Sequence, residues 1–437
     1  MSASPPRSLV RLATAGSVDD GKSTLVGRLL HDSKSVLTDQ LDAVERVSRE
    51  RGLGHVDLAL LTDGLRAERE QGITIDVAYR YFATATRTFI LADCPGHVQY
   101  TRNTVTGSST ADVLVLLVDA RKGGLEQTRR HLAVAALLRV PQVIVAINKI
   151  DLVDYDEQRY LAVAGELAGI AADLGLGSLV TLPVSALVGD NIVERSTRTP
   201  WYDGPSLLEL LENLEVASVE EGFRFGVQLT LRPQSAALDP RHDEYRGYGG
   251  IVASGRVRVG DKIVVLPEGV HSRIAGIDLA GASLEEAVAG QSVSLRLTDE
   301  VDLARGALIS SVADAPTPTQ DVDAMVCWLA ERPLRTSARV LLKHSTRTVQ
   351  GVVRELRGRL DLDAMAPVAT DTLELNDIGR IRLRLAAPIL AEDYTTSRTG
   401  GAFLLIDPQT GQTLAAGMVR GHQAFGDSFD DSQSWSI

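Results

Sequence analysis

The chain has 437 residues, too many for one ordinary hydrophobic core, so two or three domains are expected. Apolar residues make up 44% and charged residues 23%, a soluble globular composition, and the net charge of −12 argues against a broad nucleic-acid footprint, which needs clustered lysine and arginine. Cys94 and Cys327 lie far apart without Cys-x-x-Cys spacing, which argues against a disulfide framework or a cysteine zinc site and fits a reducing cytosol. The first eight residues hold no apolar leader, and the most apolar stretch, 132–147, is broken by Arg139 and Pro141 and too short to cross a bilayer. A cytoplasmic location without membrane contact is expected.

In chain order, apolar runs at 9–15, 89–92, 113–118, 143–147 and 179–184 are rich in Val, Ile and Leu with little alternation. That pattern fits strands buried on both faces of a mostly parallel sheet. Helical patterns at 23–30, 127–138 and 157–174 fall between them, and another at 207–214 closes the series. The first half is therefore predicted to be a doubly wound α/β domain. From residue 221 short alternating runs take over, at 223–231, 250–259, 262–266 and 292–297, with Gly260-Asp261 predicted as a hairpin turn. A linker at 313–319 precedes a second set at 323–329, 338–343, 349–356, 372–375, 380–385 and 402–406. Two successive β-barrels are predicted, since closure removes exposed strand edges. The expected domains are 1–220, 221–314 and 315–425, followed by a mobile acidic tail at 426–437.

Gly16-Ser17-Val18-Asp19-Asp20-Gly21-Lys22-Ser23 matches G-x-x-x-x-G-K-S/T between a predicted strand and a predicted helix, the context of a phosphate-binding loop. Its backbone N–H groups can close around the α- and β-phosphates of a nucleotide, with the helix N-terminus adding a favourable dipole. Lys22 is expected to reach the β- and γ-phosphates, Ser23 to bind Mg²⁺, and Thr24 to lie near the α-phosphate. Asp93-Cys94-Pro95-Gly96-His97 ends a predicted strand beside that loop. Asp93 suits a magnesium ligand acting through water, Gly96 can give its N–H to the γ-phosphate, and His97 stands where a side chain can orient the attacking water. Cys94 reads as a small filler. Asn148-Lys149-Ile150-Asp151 follows another strand, and the Asp151 carboxylate can accept from both N1–H and N2–H₂ of guanine, a donor pair adenine lacks. Lys149 can cover the base with its stem, Asn148 can tie loops together, and Ser185-Ala186 can offer backbone N–H to guanine O6. The charged stretch 62–75 contains Thr74, which can complete the magnesium shell and sense the γ-phosphate. The chain is expected to bind and hydrolyse GTP with Mg²⁺, using His97, Lys22 and Thr74 in catalysis.

These signatures in this order, followed by two barrels, resemble the translation-factor class of GTPases. Within that class the chain is similar to the large-subunit family of bacterial ATP sulfurylase, sulfate adenylyltransferase subunit 1. The likeness is carried by Gly16 to Leu25, by Asp63 to Phe82, by Tyr100 to Asp112, and by Gly401 to Asp407 followed by Ala416 to Val419. The resemblance implies that His97 orients water behind an apolar gate of Val18 and Ile73, and moves inward when a partner docks. It further implies that GTP hydrolysis drives formation of adenosine 5′-phosphosulfate from ATP and sulfate on a small catalytic subunit. No His-x-Gly-His and no Ser-Gly-Gly-x-Asp-Ser loop occurs here, so adenylyl transfer is expected on the partner, and without a second phosphate loop no adenylylsulfate kinase activity is expected. A translational carrier of the elongation or release-factor type, and a binding module timed by hydrolysis, remain the alternatives.

Overall fold

The structure is a computed structural model and describes residues 8–34, 38–50, 56–61, 77–97, 101–177, 179–215, 222–233 and 244–419. The chain divides into two compact units, the first built mainly from residues 1–217 with the short segment 361–366, the second from 218–360 and 367–422. Residues 73 and 74, and the tail from 426, lie outside the described residues.

In the first unit, β1 (Ser8–Gly16), β3 (Arg87–Asp93), β4 (Val113–Asp119), β5 (Gln142–Asn148) and β6 (Leu179–Pro183) pair in parallel. The sheet order is β2-β3-β1-β4-β5-β6. All seven residues of β4 are buried, which accounts for an apolar run with no alternation. β2 (Ala78–Ala83) joins antiparallel at the edge, and its Phe82 ring stacks on Phe89 with centroids 4.6 Å apart. Helices α1 (Lys22–Asp32), α2 (Thr38–Glu50), α3 (Thr101–Ser108), α4 (Glu126–Leu137), α5 (Glu157–Asp173) and α6 (Leu207–Glu212) complete this unit among the described residues. Leu25 and Leu29 of α1 enter the same core as Leu12, Phe89, Val115 and Leu182. Ser206 caps α6 by accepting from Glu209 N, while Glu209 accepts from Ser206 N at 2.7 Å. By contrast the residue before α1 is Gly21, whose φ of 95° is left-handed and which caps nothing with a side chain. The first-turn N–H groups of α1 are left for another acceptor.

The second unit contains two closed antiparallel barrels. The first runs β10-β15-β7-β8-β14-β11 and closes through β10–β11, from β7 (Arg224–Leu231), β8 (Gly247–Ser254), β10 (Lys262–Leu266), β11 (Val270–Leu279), β14 (Ser292–Leu297) and β15 (Leu308–Ser311). Phe225, Tyr248 and Ile263 fill it. Gly260 turns the chain with φ 91°, yet the predicted hairpin does not form: β9 (Arg256–Arg258) pairs with β13 (Glu286–Val288), while β10 pairs with β11 and β15. Gly255 at φ 65° separates β8 from β9, which divides the single run predicted at 250–259.

The second barrel runs β17-β21-β22-β16-β20-β18 and closes through β17–β18. Its strands are β16 (Thr319–Trp328), β17 (Arg339–His344), β18 (Arg347–Asp361), β20 (Ile378–Ile389), β21 (Ala402–Ile406) and β22 (Thr413–Val419), around Trp328, Leu342 and Phe403. The strand predicted at 372–375 reduces to one bridge between Leu334 and Leu373. Arg224, 6% exposed, joins the barrels by donating to Glu392 at 2.7 Å and Asp314 at 3.3 Å.

Candidate functional site

The parallel order β3-β1-β4-β5-β6 sets five strand ends side by side, about 4.8 Å apart. Chain direction reverses its winding at β1, so β3 and β4 flank it and a crevice opens beyond their carboxyl ends. From these ends emerge the loop 16–21, Asp93–His97, the turn after Asp119, Asn148–Asp151 and Ser185-Ala186.

The first loop folds around its own lysine. Lys22 is 7% exposed, and its Nζ donates to the carbonyls of Gly16 and Ser17, both at 2.8 Å. Burial lowers its proton affinity, and the charges of Asp20 and Asp93 oppose that loss. Asp20, 2% exposed, accepts from Ser17 N at 2.7 Å, and burial raises its carboxyl despite that bond and the nearby Lys22. Its Oδ1 and the Ser17 hydroxyl are buried without a hydrogen-bond partner among the described residues. Partnerless buried oxygens beside an uncapped helix mark a place shaped for a polar ligand. Ser23 and Thr24 are half-buried in the first turn, and Val18 and Asp19 are exposed.

Asp93 is buried, and Thr14 Oγ1 donates to it at 2.9 Å. A Cβ on Gly96 would stand 2.2 Å from Lys22 Nζ and 2.5 Å from Gly16 O, so only glycine lets this segment close on the loop. His97 follows, half-buried. Cys94 packs fully buried against Gly107, and burial pushes its thiol far up, which suits a filler.

Asn148 and Lys149 brace the phosphate loop from the next strand end but one. Asn148 Nδ2 donates to Asp20 O at 2.7 Å, and its Oδ1 accepts from Ala186 N at 2.9 Å. Lys149, left-handed at φ 61°, donates to Asp19 O and pairs with Asp119 at 3.1 Å. Asp151 is the second residue of the short 3-10 turn Ile150–Val153 and is half-exposed, while Ser185 and Ala186 are buried. The Ala186 N–H, read from the sequence as a donor to guanine, is thus already shared with Asn148.

Three supporting residues escaped the sequence reading. Asp119 anchors both Lys149 and Arg121; burial works against its ionised form, but these two cations hold its carboxyl well below the usual range. Arg28 of α1 grips the carbonyls of Ala186 and Leu187. His131 of α4 is buried behind the loop, and burial together with the Lys22 charge pushes it down to about 3, against the pull of the Gly16 backbone. A histidine kept neutral when folded takes up its proton on unfolding. Stability is therefore lost as pH falls below the free value of about 6.5, by up to ~1.4 kcal/mol per pH unit. Thermal melting from about pH 7 to about pH 5 is expected to show a falling midpoint. His131→Gln is expected to flatten that slope, and an unchanged slope would count against the assignment; buried His344, also held low, adds a residual trend of the same sign.

A strand–loop–helix phosphate cradle braced by an Asn-Lys-x-Asp loop, followed by two barrels, defines a GTPase of the translation-factor class. Residues 7–217 match the elongation factor Tu GTP binding domain, and residues 321–420 match the GTP-eEF1A C-terminal domain-like family. The chain is 45% identical over 94% of its length to sulfate adenylyltransferase subunit 1 of Bacteroides fragilis (strain YCH46), spanning 86% of that protein. It is likewise 45% identical over 94% of its length to sulfate adenylyltransferase subunit 1 of Cellvibrio japonicus (strain Ueda107), spanning 87% of it. To the bifunctional enzyme CysN/CysC of Mycobacterium tuberculosis (strain CDC 1551 / Oshkosh) it is 50% identical, again over 94% of this chain but 67% of the relative. The chain belongs to the sulfate adenylyltransferase subunit 1 family and is a GTP-hydrolysing enzyme subunit. Among the described residues, no helix is long and apolar enough to cross a membrane.

Proposed function

We propose that this chain is the GTPase regulatory subunit of a cytoplasmic sulfate adenylyltransferase, coupling GTP hydrolysis to formation of adenosine 5′-phosphosulfate from ATP and sulfate by a smaller catalytic partner subunit. The observation that carries the reading is its identity, over nearly the whole chain, to proteins named subunit 1 of that enzyme. In this reading residues 1–220 form the GTP-binding domain, with barrels at 221–314 and 315–425.

The proposed roles follow the geometry. Backbone N–H groups from Ser17 to Ser23 take the α- and β-phosphates, with Thr24 beside the former. Lys22 Nζ exchanges its two loop carbonyls for the β- and γ-phosphates, and Gly96 N–H meets the γ-phosphate. Cys94 and Pro95 shape that approach, and His97 orients the attacking water, with Val18 at its gate. Asn148, Lys149 and Asp151 take guanine with Ser185 and Ala186. The residues that would hold Mg²⁺ are Ser23, Thr74 and, through water, Asp93; oxygen donors suit a hard cation, and the partnerless Asp20 Oδ1 and Ser17 Oγ belong to the same phosphate-loop motif as Ser23. The ion supplies neutralisation of charge on the phosphate oxygens.

The test follows adenosine 5′-phosphosulfate yield in the two-subunit enzyme with GTP and with a non-hydrolysable analogue. A higher yield with GTP is expected, and equal yields would defeat the coupling. Acceleration of GTP turnover by ribosomes and not by the catalytic subunit would move the chain to translation.

A further inference from the structure

The outer face of the second barrel carries a groove of about 690 Å³ that has no part in the nucleotide site. Strand pairing builds it. Arg339 of β17 stands opposite Val352 of β18, which stands opposite Arg384 of β20, so the three side chains share one face in a row across the sheet. Leu341 and Gln350 form the next pair on that face, and Arg332 and Arg354 extend the wall. The result is a half-buried floor of Leu341 and Val352 between arginines that are exposed.

The charge of this face opposes that of the chain, which totals −12. Four arginines line the groove against one carboxylate, Asp407, and that carboxylate is occupied by its own turn, accepting from Gln409 N at 2.8 Å and Thr410 N at 2.9 Å. Arg384 is paired with Asp321, but Arg339 and Arg354 make no ion pair among the described residues. Unpaired guanidinium groups spaced over apolar surface present bidentate donors for carboxylates together with a seat for aliphatic side chains. A single-stranded nucleic acid would find no stacking platform, because no aromatic residue lines the groove.

We propose that this groove docks an acidic segment of a partner protein, with its carboxylates on Arg339, Arg354 and Arg384 and its apolar side chains on Leu341 and Val352. The inference stands on the second barrel alone and does not depend on what the partner catalyses. It is tested on the full chain with a short fluorescent peptide alternating Glu and Leu. Saturable binding is expected, weakening with added salt and falling about tenfold or more in the Arg339→Glu/Arg354→Glu double variant. Arg335→Glu, exposed and outside the groove, is expected to bind like the parent, and an unchanged far-UV circular dichroism spectrum and melting midpoint in the double variant show that the barrel folds. Absence of saturable binding, or equal binding by parent and double variant, overturns the proposal. So does tighter binding of a single-stranded RNA oligonucleotide of matched charge than of the peptide.

Discussion

His97→Ala is expected to leave GTP affinity nearly intact while slowing hydrolysis by ~10²–10⁴, the usual share of a positioned proton-transfer or water-orienting group. The asymmetry follows from where the residue stands. It is the first side chain beyond Gly96, whose missing Cβ lets the segment close against Lys22 Nζ and Gly16 O, which in the proposed reading brings it to the γ-phosphate end of the cradle. The groups proposed to bind phosphate are others: Lys22 and the N–H groups of the uncapped α1. Removing the imidazole therefore takes away a transition-state contact and little ground-state binding, which lowers turnover at constant affinity. Single-turnover hydrolysis beside a nucleotide titration, each with and without the catalytic partner, measures both. Hydrolysis at the parental rate would remove His97 from the mechanism.

Asp151→Asn is expected to weaken GTP by ~10²–10⁴, the cost of two charge-assisted hydrogen bonds, and to improve xanthosine triphosphate. In the proposed role the carboxylate accepts twice from guanine, whereas an amide offers one acceptor and one donor, the match for the N1–H and 2-oxo edge of xanthine. Asp151 sits on a 3-10 turn fixed by left-handed Lys149, so the substitution changes chemistry with little change of backbone. Competition between the two nucleotides on the variant decides it; retained preference for GTP would take base recognition away from Asp151.

Strands buried on both faces were legible because burial abolishes alternation: β4, with every residue buried, is the clearest run in the chain. β2 escaped because it is an edge strand whose Tyr79 and Tyr81 are 50% and 68% exposed. α2 escaped as well, since its residues are mostly polar and nothing in local sequence says what it packs on. In the barrels, β18 was underestimated because register shifts interrupt its period, and β22 was missed because Ala-Ala-Gly favours no strand. The loops at the crevice were legible because each carries local motif spacing. Asp119, His131 and Arg28 were not, because their contacts with Lys149, Lys22 and Ala186 span 30 or more positions in sequence and only folding creates them.

The brace from Asn148 and Lys149 onto the carbonyls of Asp20 and Asp19 makes one mechanical body of two loops that the motifs describe separately. A base that displaces either side chain pulls on the peptide units that cradle the phosphates, and an altered triphosphate pushes back along the same links. Discrimination at the ring and grip on the anionic tail are thus not free to evolve apart. Substitutions in the two loops should compound in free energy by an amount neither predicts alone.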